Sequence, residues 1–438
     1  MLPNVTNRSS GYLLSFPSYI GNVTDYGEIV VKDQVHTVSA DYLSISSASN
    51  LPLISTQNAS VGYSYVEELI GGQGQAGKNI NEFSSATDIY FDQFPFAPAI
   101  SREWKRGLPI SNSILKYNAA TTSFETVEDK KSWYQDHSGS SYPGLKVGQR
   151  IFGQIGIIGG LDIYEVADFL TVTGWSPLDS DTTYKFGSVN HLAQKQVNTY
   201  QYSTDNLLIK NMTTKNSEEL TKVISFNYPN DMVANNQDPN GIYQAMIAAN
   251  VISPVVEQKQ TLNNKTALQR NNFIQPYPQM FTAGTVEVRN VVSGLDEVRL
   301  KYERYGINGN VLSAKQENGA TVNYIYSYKN QYPIAEIKNA DYAIIESILG
   351  GATAVNNFAA SSPTDVAVNT LINTLRSSPL LKDAQITSYT YKPLIGVTSS
   401  TDAKGMTTYY EYDAFQRLKT IKDQNGNILK QTDYHYKN

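Results

Sequence analysis

The chain has 438 residues, long enough for two or three ordinary domains. Its 35 Lys and Arg against 40 Asp and Glu leave a net charge of −5, which offers a phosphate backbone no overall attraction, so nucleic acid is not an expected partner. It has no cysteine, which excludes disulfides, thiolate catalysis and cysteine-based zinc sites, while 31 Tyr against 14 Phe and 3 Trp suit an extracellular β protein whose rings lie half buried with wet hydroxyls.

Met1-Leu2-Pro3-Asn4-Val5-Thr6 has neither a basic start nor an apolar core, so no signal peptide is read there. Residues 1 to about 235 read as short strands between turn clusters such as Asp136-His137-Ser138-Gly139-Ser140-Ser141 and Pro229-Asn230-Asp231. Gly72-Gln73-Gly74-Gln75-Ala76-Gly77 fits the dinucleotide fingerprint by letter. That chemistry needs a following helix, whereas Lys78-Asn79-Ile80-Asn81-Glu82-Phe83 alternates as a strand, so a hairpin loop is expected. The run Ile151 to Leu161 contains Gln154 and four glycines. It is too short to span a bilayer as a helix and reads as a buried strand with a glycine bend.

Other chemistry-bearing groups are sparse. His36, His137, His191 and His435 show no metal-ligand spacing. Asp136-His137-Ser138 puts triad letters side by side, yet adjacent residues point apart, and a turn is expected. Asp179-Ser180-Asp181 lacks the carboxylates and central glycine of a calcium loop. Glu67-Glu68 and Glu218-Glu219 are expected on opposite strand faces rather than as acid/base dyads.

Farther along, Gly241 to Ala249 predicts a helix capped by Asp238 or Asn240. Residues 254–300 return to strands, with Asn263-Asn264-Lys265 as a hairpin turn. Tyr302-Glu303-Arg304-Tyr305-Gly306, Asn308-Gly309, Asn318-Gly319 and Tyr324-Ile325-Tyr326 then predict hairpins over 302–338. From 341 to 381 the apolar spacing turns helical, with Ser362-Pro363-Thr364 at a second start and Pro379 after its end. This predicts a helical hairpin inserted between strands, plugging one sheet face.

The last fifty residues carry the clearest pattern. Tyr389-Thr390-Tyr391 is followed by Asp402-Ala403-Lys404-Gly405, Tyr410-Glu411-Tyr412, Asp423-Gln424-Asn425-Gly426 and Tyr434-His435-Tyr436. Tyr391 precedes Asp402 by 11 positions, and Tyr412 precedes Asp423 by 11. A Tyr-x-Tyr pair places both rings on one strand face, and the Asp–Gly elements read as turns, so the segment predicts a β-meander.

These residues resemble the YD-repeat (Rhs-repeat) family of bacterial proteins, whose core pattern is matched by Tyr412-Asp413-Ala414-Phe415-Gln416-Arg417-Leu418. Gln416 stands where the family usually has Gly, and Gln tolerates positive φ poorly. The stretches Tyr200-Gln201-Tyr202, Val223 to Tyr228, Tyr63-Ser64-Tyr65-Val66 and Trp104-Lys105-Arg106-Gly107-Leu108 are similar to degenerate copies. The resemblance implies a mainly β fold: an antiparallel YD-repeat hairpin array forming a curled sheet or partial shell, with short helical insertions. It implies a degenerate array over 1–235, a helix plus hairpin over 236–300, and YD hairpins over 301–438 with the insertion near 341–381. The motif residues are Tyr389, Tyr391, Asp402, Gly405, Tyr410, Tyr412, Asp413, Arg417, Leu418, Asp423, Gly426, Tyr434 and Tyr436.

The implied function is a non-enzymatic structural scaffold or shell segment of an exported protein, outside the cell or on its surface, with the export signal upstream. Its implied partners are other parts of a longer YD-repeat chain or a surface complex. Glycan binding, suggested by the Tyr, Asn and Gln surplus, is the alternative, and a hydrolase is a residual one. No cofactor, metal or membrane span is expected. Asp238-Pro239-Asn240-Gly241 resembles the self-cleavage motif that closes complete family cores, but it lies mid-chain before a helix, and cleavage is not expected.

Overall fold

The computed structural model describes residues 10–13, 19–49, 61–72, 74–91, 93–151, 162–187, 193–289 and 294–434. Tyr436, His191, His435 and most of Ile151–Leu161 lie outside them. The chain divides into two compact units: Met1–Tyr202 with Asn211–Val223, and Ser203–Lys210 with Ile224–Asn438.

The first unit holds β1 (Gly11–Leu13), β2 (Ile20–Val31), β3 (Gln34–Ile45), β4 (Val61–Tyr63), β5 (Tyr65–Ile70), β6 (Gly77–Phe83), β7 (Pro109–Asn118), β8 (Ser123–Tyr134), β9 (His137–Ile151), β10 (Asp162–Trp175), β11 (Leu178–Phe186) and β12 (Ala193–Tyr202). Strands β5 to β8 pair in sequence, and β11 joins β8 to β12, all antiparallel. Two long hairpins, β2–β3 and β9–β10, form two-stranded sheets of their own. Lys32 and Asp33, at φ 53° and 64°, make the two-residue turn of the first, the backbone that matches strand twist.

Three expectations for this unit need correction. Asp136–Ser141 is not a turn, since His137 opens β9 and Ser138 pairs with Gly174. A paired partner strand overrides the weak strand preference of Ser and Gly. His137 also stacks on Trp175 at 5.7 Å. Glu218 and Glu219 lie not on strand faces but in the turn after β13 (Ile209–Asn216), where Glu219 has φ 63° and the Asn216 side chain accepts the Glu218 N–H at 3.0 Å. Trp104 lies in a single 3₁₀ turn, Glu103–Lys105, rather than in a repeat strand.

Strand β14 (Thr221–Asn227) precedes α1 (Pro229–Ala234) and α2 (Ile242–Ala248). The α1 turn of helix corrects the expected Pro229-Asn230-Asp231 loop. Pro229 occupies the first helical turn, where a missing N–H costs nothing, and the Asp231 carboxylate accepts the Tyr228 N–H at 2.9 Å. Asp238 caps α2, accepting from Tyr243 N at 3.2 Å and Gln244 N at 2.9 Å. Met232, Tyr243, Met246 and Val256 bury together beneath Phe273 and Phe281.

The second unit continues with β15 (Glu257–Leu262), β16 (Lys265–Tyr277), β17 (Met280–Arg289), β18 (Asp296–Tyr305), β19 (Val311–Gln316), β20 (Thr321–Ser327), β21 (Tyr332–Lys338), β22 (Gln385–Lys392), β23 (Gly396–Thr401), β24 (Thr407–Tyr412), β25 (Leu418–Lys422) and β26 (Ile428–Gln431). Each pairs antiparallel with the next, so the unit is an unbroken meander. Asn263 and Asn264 make the expected β15–β16 turn with φ 48° and 61°, while Lys265 already pairs with Leu262.

Between β21 and β22 the insertion is three helices, not the expected two: α3 (Tyr342–Ile348), α4 (Ala352–Ala360) and α5 (Asp365–Arg376). Gly350 and Gly351, both at φ 91°, stop the first helix and reverse the chain into α4. Asp341 caps α3 through Ala343 N at 2.8 Å, and Thr364 caps α5 through Ala367 N at 3.3 Å. Val368, Ile372 and Leu375 of α5 bury against Ile325, Ile334, Ile337 and Ile386 of the sheet. Each such side chain contributes about 1.5–3 kcal/mol on burial. The insertion thus covers one sheet face, as its helical spacing suggested.

Alternation and register give the two faces of β20–β22 different chemistry. Asn323 faces Ile337, and Ile325 faces Ala335, on the side under the helices. Tyr324 and Tyr326 share the other side with Glu336, which pairs with Tyr324 and Thr387.

Candidate functional site

The motif residues build one turn three times. At Asp402, Oδ1 accepts the N–H groups of Lys404 at 2.9 Å and Met406 at 2.8 Å. At Asp413 it accepts Phe415 N and Arg417 N, each at 2.9 Å, and at Asp423 it accepts Asn425 N at 2.9 Å and Asn427 N at 2.8 Å. In each turn the aspartate N–H donates to the carbonyl four residues on, at 3.0, 2.8 and 2.9 Å in turn. The fourth position takes positive φ: Gly405 at 85°, Gln416 at 64° and Gly426 at 85°. One carboxylate therefore satisfies two turn donors at once, the local bonding that makes Asp a turn residue. Gly306–Asn310 repeats the backbone with no carboxylate, Gly306 N–H bonding Asn310 O at 2.8 Å and Gly309 standing at φ 86°.

Gln416 answers the question raised by its identity, for it adopts the glycine conformation. Its N–H donates to Asp413 O at 2.9 Å, and Asp413 Oδ2 also takes Arg417 Nε at 2.8 Å, so both neighbours hold the turn closed. That guanidinium lies over the rings of Phe415 at 5.1 Å and Tyr434 at 4.2 Å. The Arg417 hydrogen bond holds the Asp413 carboxyl below the usual carboxylate range, and the Asn427 amide does the same for Asp423.

A second device joins the strands. In seven places among the described residues a tyrosine near the end of one strand returns its hydroxyl to a carbonyl near the start of the preceding strand. Tyr134 reaches Pro109 at 3.1 Å, Tyr202 reaches Leu178 at 2.9 Å, and Tyr228 reaches Ile209 at 2.9 Å. Tyr305 reaches Ala283 at 2.7 Å, Tyr391 reaches Pro333 at 2.9 Å, Tyr412 reaches Val397 at 3.0 Å, and Tyr434 reaches Leu418 at 3.0 Å. Each lock ties the open end of a hairpin, where pairing would otherwise fray. A hydrogen bond of this kind contributes about 0.5–1.5 kcal/mol.

The two tyrosines of a pair therefore differ in role. Tyr391 and Tyr412 are locks, while the hydroxyls of Tyr389 and Tyr410 hold no hydrogen bond among the described residues. Tyr391 also stacks with Tyr332 at 4.9 Å and meets Tyr328 edge-on at 5.8 Å, and burial pushes its hydroxyl up to about 12. Gly396, which sequence reasoning passed over, makes room for the Tyr412 lock: a Cβ there would sit 2.2 Å from the hydroxyl. Arg376, likewise unread, fastens α5 to the first turn by donating to Ile386 O at 2.7 Å and Asp402 O at 3.0 Å. Acceptors in both cases are main-chain carbonyls, which leave no mark in a sequence.

Groups with chemical potential elsewhere are engaged in structure. The Gly72–Gly77 loop closes with Ile70 paired to Gly77 and leads into β6, so it has no helix to hold a pyrophosphate. Asp136 binds Lys105 at 2.6 Å and Ser176 at 2.5 Å. Asp181, 1% exposed, accepts from Asn198 at 3.0 Å and Tyr200 at 2.8 Å. Glu67 takes Lys78 at 2.9 Å and Glu68 takes Asn79 at 3.2 Å, in keeping with opposite faces. Among the described residues no group of His, Asp and Glu is placed to hold a metal, and no helix is long and apolar enough to cross a membrane. An open cavity of about 590 Å³ is lined by Glu303, Arg304, Ser313, Lys315 and Asp341. Its Arg304 is bound to Glu346 at 2.8 Å, and its Asp341 is spent on the α3 cap.

No family profile and no curated protein matches the chain. It is similar to solved structures of TcdB2-TccC3. For the complex with Cdc42 the identity is 8% and the TM-score 0.25, over 81% of this chain and 19% of that one. For TcdB2-TccC3 itself the identity is 9% and the TM-score 0.24, over 87% and 22%. The chain spans about a fifth of the length of the structures it matches, and likeness at this level carries no argument about what it does.

Proposed function

We propose that the chain is a non-enzymatic structural segment of an exported bacterial YD-repeat protein, acting as scaffold or shell outside the cell or on its surface. The observation that carries this reading is the threefold Asp turn at 402, 413 and 423, joined to tyrosine locks at 391, 412 and 434. Residues of catalytic type in the repeat are consumed in holding turns and hairpin ends. The test is the intact mass of the native protein in cytosol, surface and medium fractions of the producing cell. A species heavier than 48.5 kDa at the surface or in the medium is expected; a 48.5 kDa species confined to the cytosol would end the reading.

One observation favours adhesion to glycans as a second reading. Tyr324, Tyr389 and Tyr410 stand half buried with no hydrogen bond on their hydroxyls among the described residues, and the first two lie near the Glu336–Lys338 pair. Rings and charges of this kind can bind sugar faces and hydroxyls. Saturable binding on a glycan array, lost in Tyr389→Ala, is its expected sign, and silence across the array would count against it.

A further inference from the structure

Single exposed apolar side chains are ordinary on a protein surface, but the barest ones of the second unit share one end of its sheet. Strands β18 to β25 each pair with the next, so the β18–β19, β20–β21, β22–β23 and β24–β25 turns all lie at that end. The start of α5 joins them there, since Thr398, near the start of β23, donates its hydroxyl to the Asp365 carboxylate at 3.0 Å. Ile307, Leu394 and Phe415 stand on three of these turns and Val366 on α5, each between 74% and 92% exposed, and no other large apolar side chain described in the unit is as bare. The fold does not ask for them. Phe415 is the third residue of its Asp turn, and the equivalent turns at the opposite end carry Lys404 and Asn425 in that place. Leu394 takes φ 66°, a conformation that Gly or Asn adopts at lower cost.

We propose that this end of the sheet seats on an anionic lipid membrane, with the four side chains in its interfacial layer and Lys329 and Lys392 on its headgroups. Three observations select lipid over a protein surface. The tips are scattered: turns two strands apart stand about 10 Å from one another, so the apolar groups form no continuous patch like the core of a packed protein interface, whereas a fluid layer takes each one singly. The turns are closed on themselves, with Gly306 N–H on Asn310 O at 2.8 Å, Gln331 N–H on Ser327 O at 3.1 Å, Ile395 N–H on Lys392 O at 3.0 Å and Asp413 N–H on Arg417 O at 2.8 Å, so the tips present no bare strand edge. Lys329, in the β20–β21 turn, and Lys392, at the start of the β22–β23 turn, are exposed and hold no ion pair among the described residues, which sets positive charge between apolar tips. Asp365 and Asp413 at this end are bonded to Thr398 and Arg417. The chain's net charge of −5 is screened beyond about 8 Å at physiological salt, so the groups at the contact decide its sign.

The experiment is co-sedimentation of the full chain with vesicles of phosphatidylcholine alone and of phosphatidylcholine with about one third phosphatidylglycerol. Wild-type protein is expected on the mixed vesicles, and several-fold less on neutral ones or at about 1 M salt. Ile307→Asp should lower binding about tenfold. Leu394→Asn should lower it several-fold while the melting temperature holds or rises, which misfolding would not produce. Lys329→Glu with Lys392→Glu should bring binding to mixed vesicles down to the level on neutral ones. Asn425→Phe added to Ile307→Asp, a new ring at the opposite end, should not restore binding. Absence of wild-type binding to mixed vesicles, equal binding to both vesicle types, equal binding by all variants, or rescue by Asn425→Phe overturns the proposal. So does a concentration-dependent dimer, seen by light scattering and abolished by Ile307→Asp, which would assign this end to a second copy.

Discussion

The repeat from β22 to β26 and the long hairpins of the first unit solve the same problem in different ways. In the repeat the β23–β24 and β25–β26 hairpins each have a carboxylate inside the turn and a tyrosine locking the open end, β24–β25 has the carboxylate turn alone, and each of β22 to β25 pairs with a strand on either side. The β2–β3 and β9–β10 hairpins have the length but pair with no third strand among the described residues, and Val30, Val35 and Leu43 of the first and Leu145, Val147 and Val166 of the second are exposed. Stability in the first case is assembled from short, identical local devices; in the second it waits on something outside the hairpin. If that contrast is right, substitutions of similar size should have very different consequences in the two regions.

The sharpest break of the comparison is Leu375→Ala, which empties a fully buried position between α5 and the sheet. It should cost about 2–5 kcal/mol in denaturant unfolding, whereas Leu145→Ala on the exposed β9 face should stay within about 0.5 kcal/mol. Equal losses would mean that the hairpin face is covered.

Alkaline unfolding should follow in size. Burial lifts the hydroxyls of Tyr391 and Tyr342 to about 12 from an ordinary 10.0. Their contribution is therefore complete below pH 10 and is lost as pH rises through about 12. Ultraviolet titration should reveal a late-ionising tyrosine class together with loss of the fold; ionisation of every tyrosine near 10 with the fold intact would contradict it.

A gain is expected at the turn that departs from the family pattern. Gln416 holds φ 64°, so Gln416→Gly should stabilise by about 1 kcal/mol, while Gly426→Ala, at φ 85°, should lose about as much. Opposite signs at two equivalent turns would be hard to obtain from any other cause. The smallest effect lies at acid pH. The carboxyls of Asp413 and Asp423 are held below their ordinary value, so the stability they add is present above about pH 4 and is lost as pH falls through the depressed values. Asp423→Asn should be less stable than wild type at neutral pH and approach it as pH falls through the depressed value, giving a flatter acid limb, and an unchanged acid limb would count against the turn's role.

These outcomes separate what could be read in the residues from what could not. The turns at Asp402 and Asp423 were legible because every group in them lies within five consecutive residues. Asp413 was legible as a motif member, but its equivalence to the other two became visible only when Gln416 took the glycine conformation. The short α1 escaped because Pro229-Asn230-Asp231 are turn letters as much as helix-start letters, and α4 because its Ala- and Asn-rich run carries only Val355 and Phe358 as large apolar residues. The helical plug was legible as apolar spacing, but Gly350-Gly351 as a break between two helices was not read. The locks remained hidden because a tyrosine that bonds a distant carbonyl looks the same as one that merely fills space. Asp136–Ser141 misled for the converse reason, since Ser, Gly and Asp signal a turn only where no neighbouring strand claims them.

The measurement that bears most directly on the account removes three hydroxyls in each of two ways. Tyr391→Phe, Tyr412→Phe and Tyr434→Phe together delete three locks, and Tyr324→Phe, Tyr389→Phe and Tyr410→Phe together delete three hydroxyls that hold no hydrogen bond among the described residues. The lock variant should lose about 1.5–4.5 kcal/mol in denaturant unfolding and the other should lose almost nothing. Equal losses, or none in either, would contradict the claim that tyrosine locks hold the hairpins of this repeat.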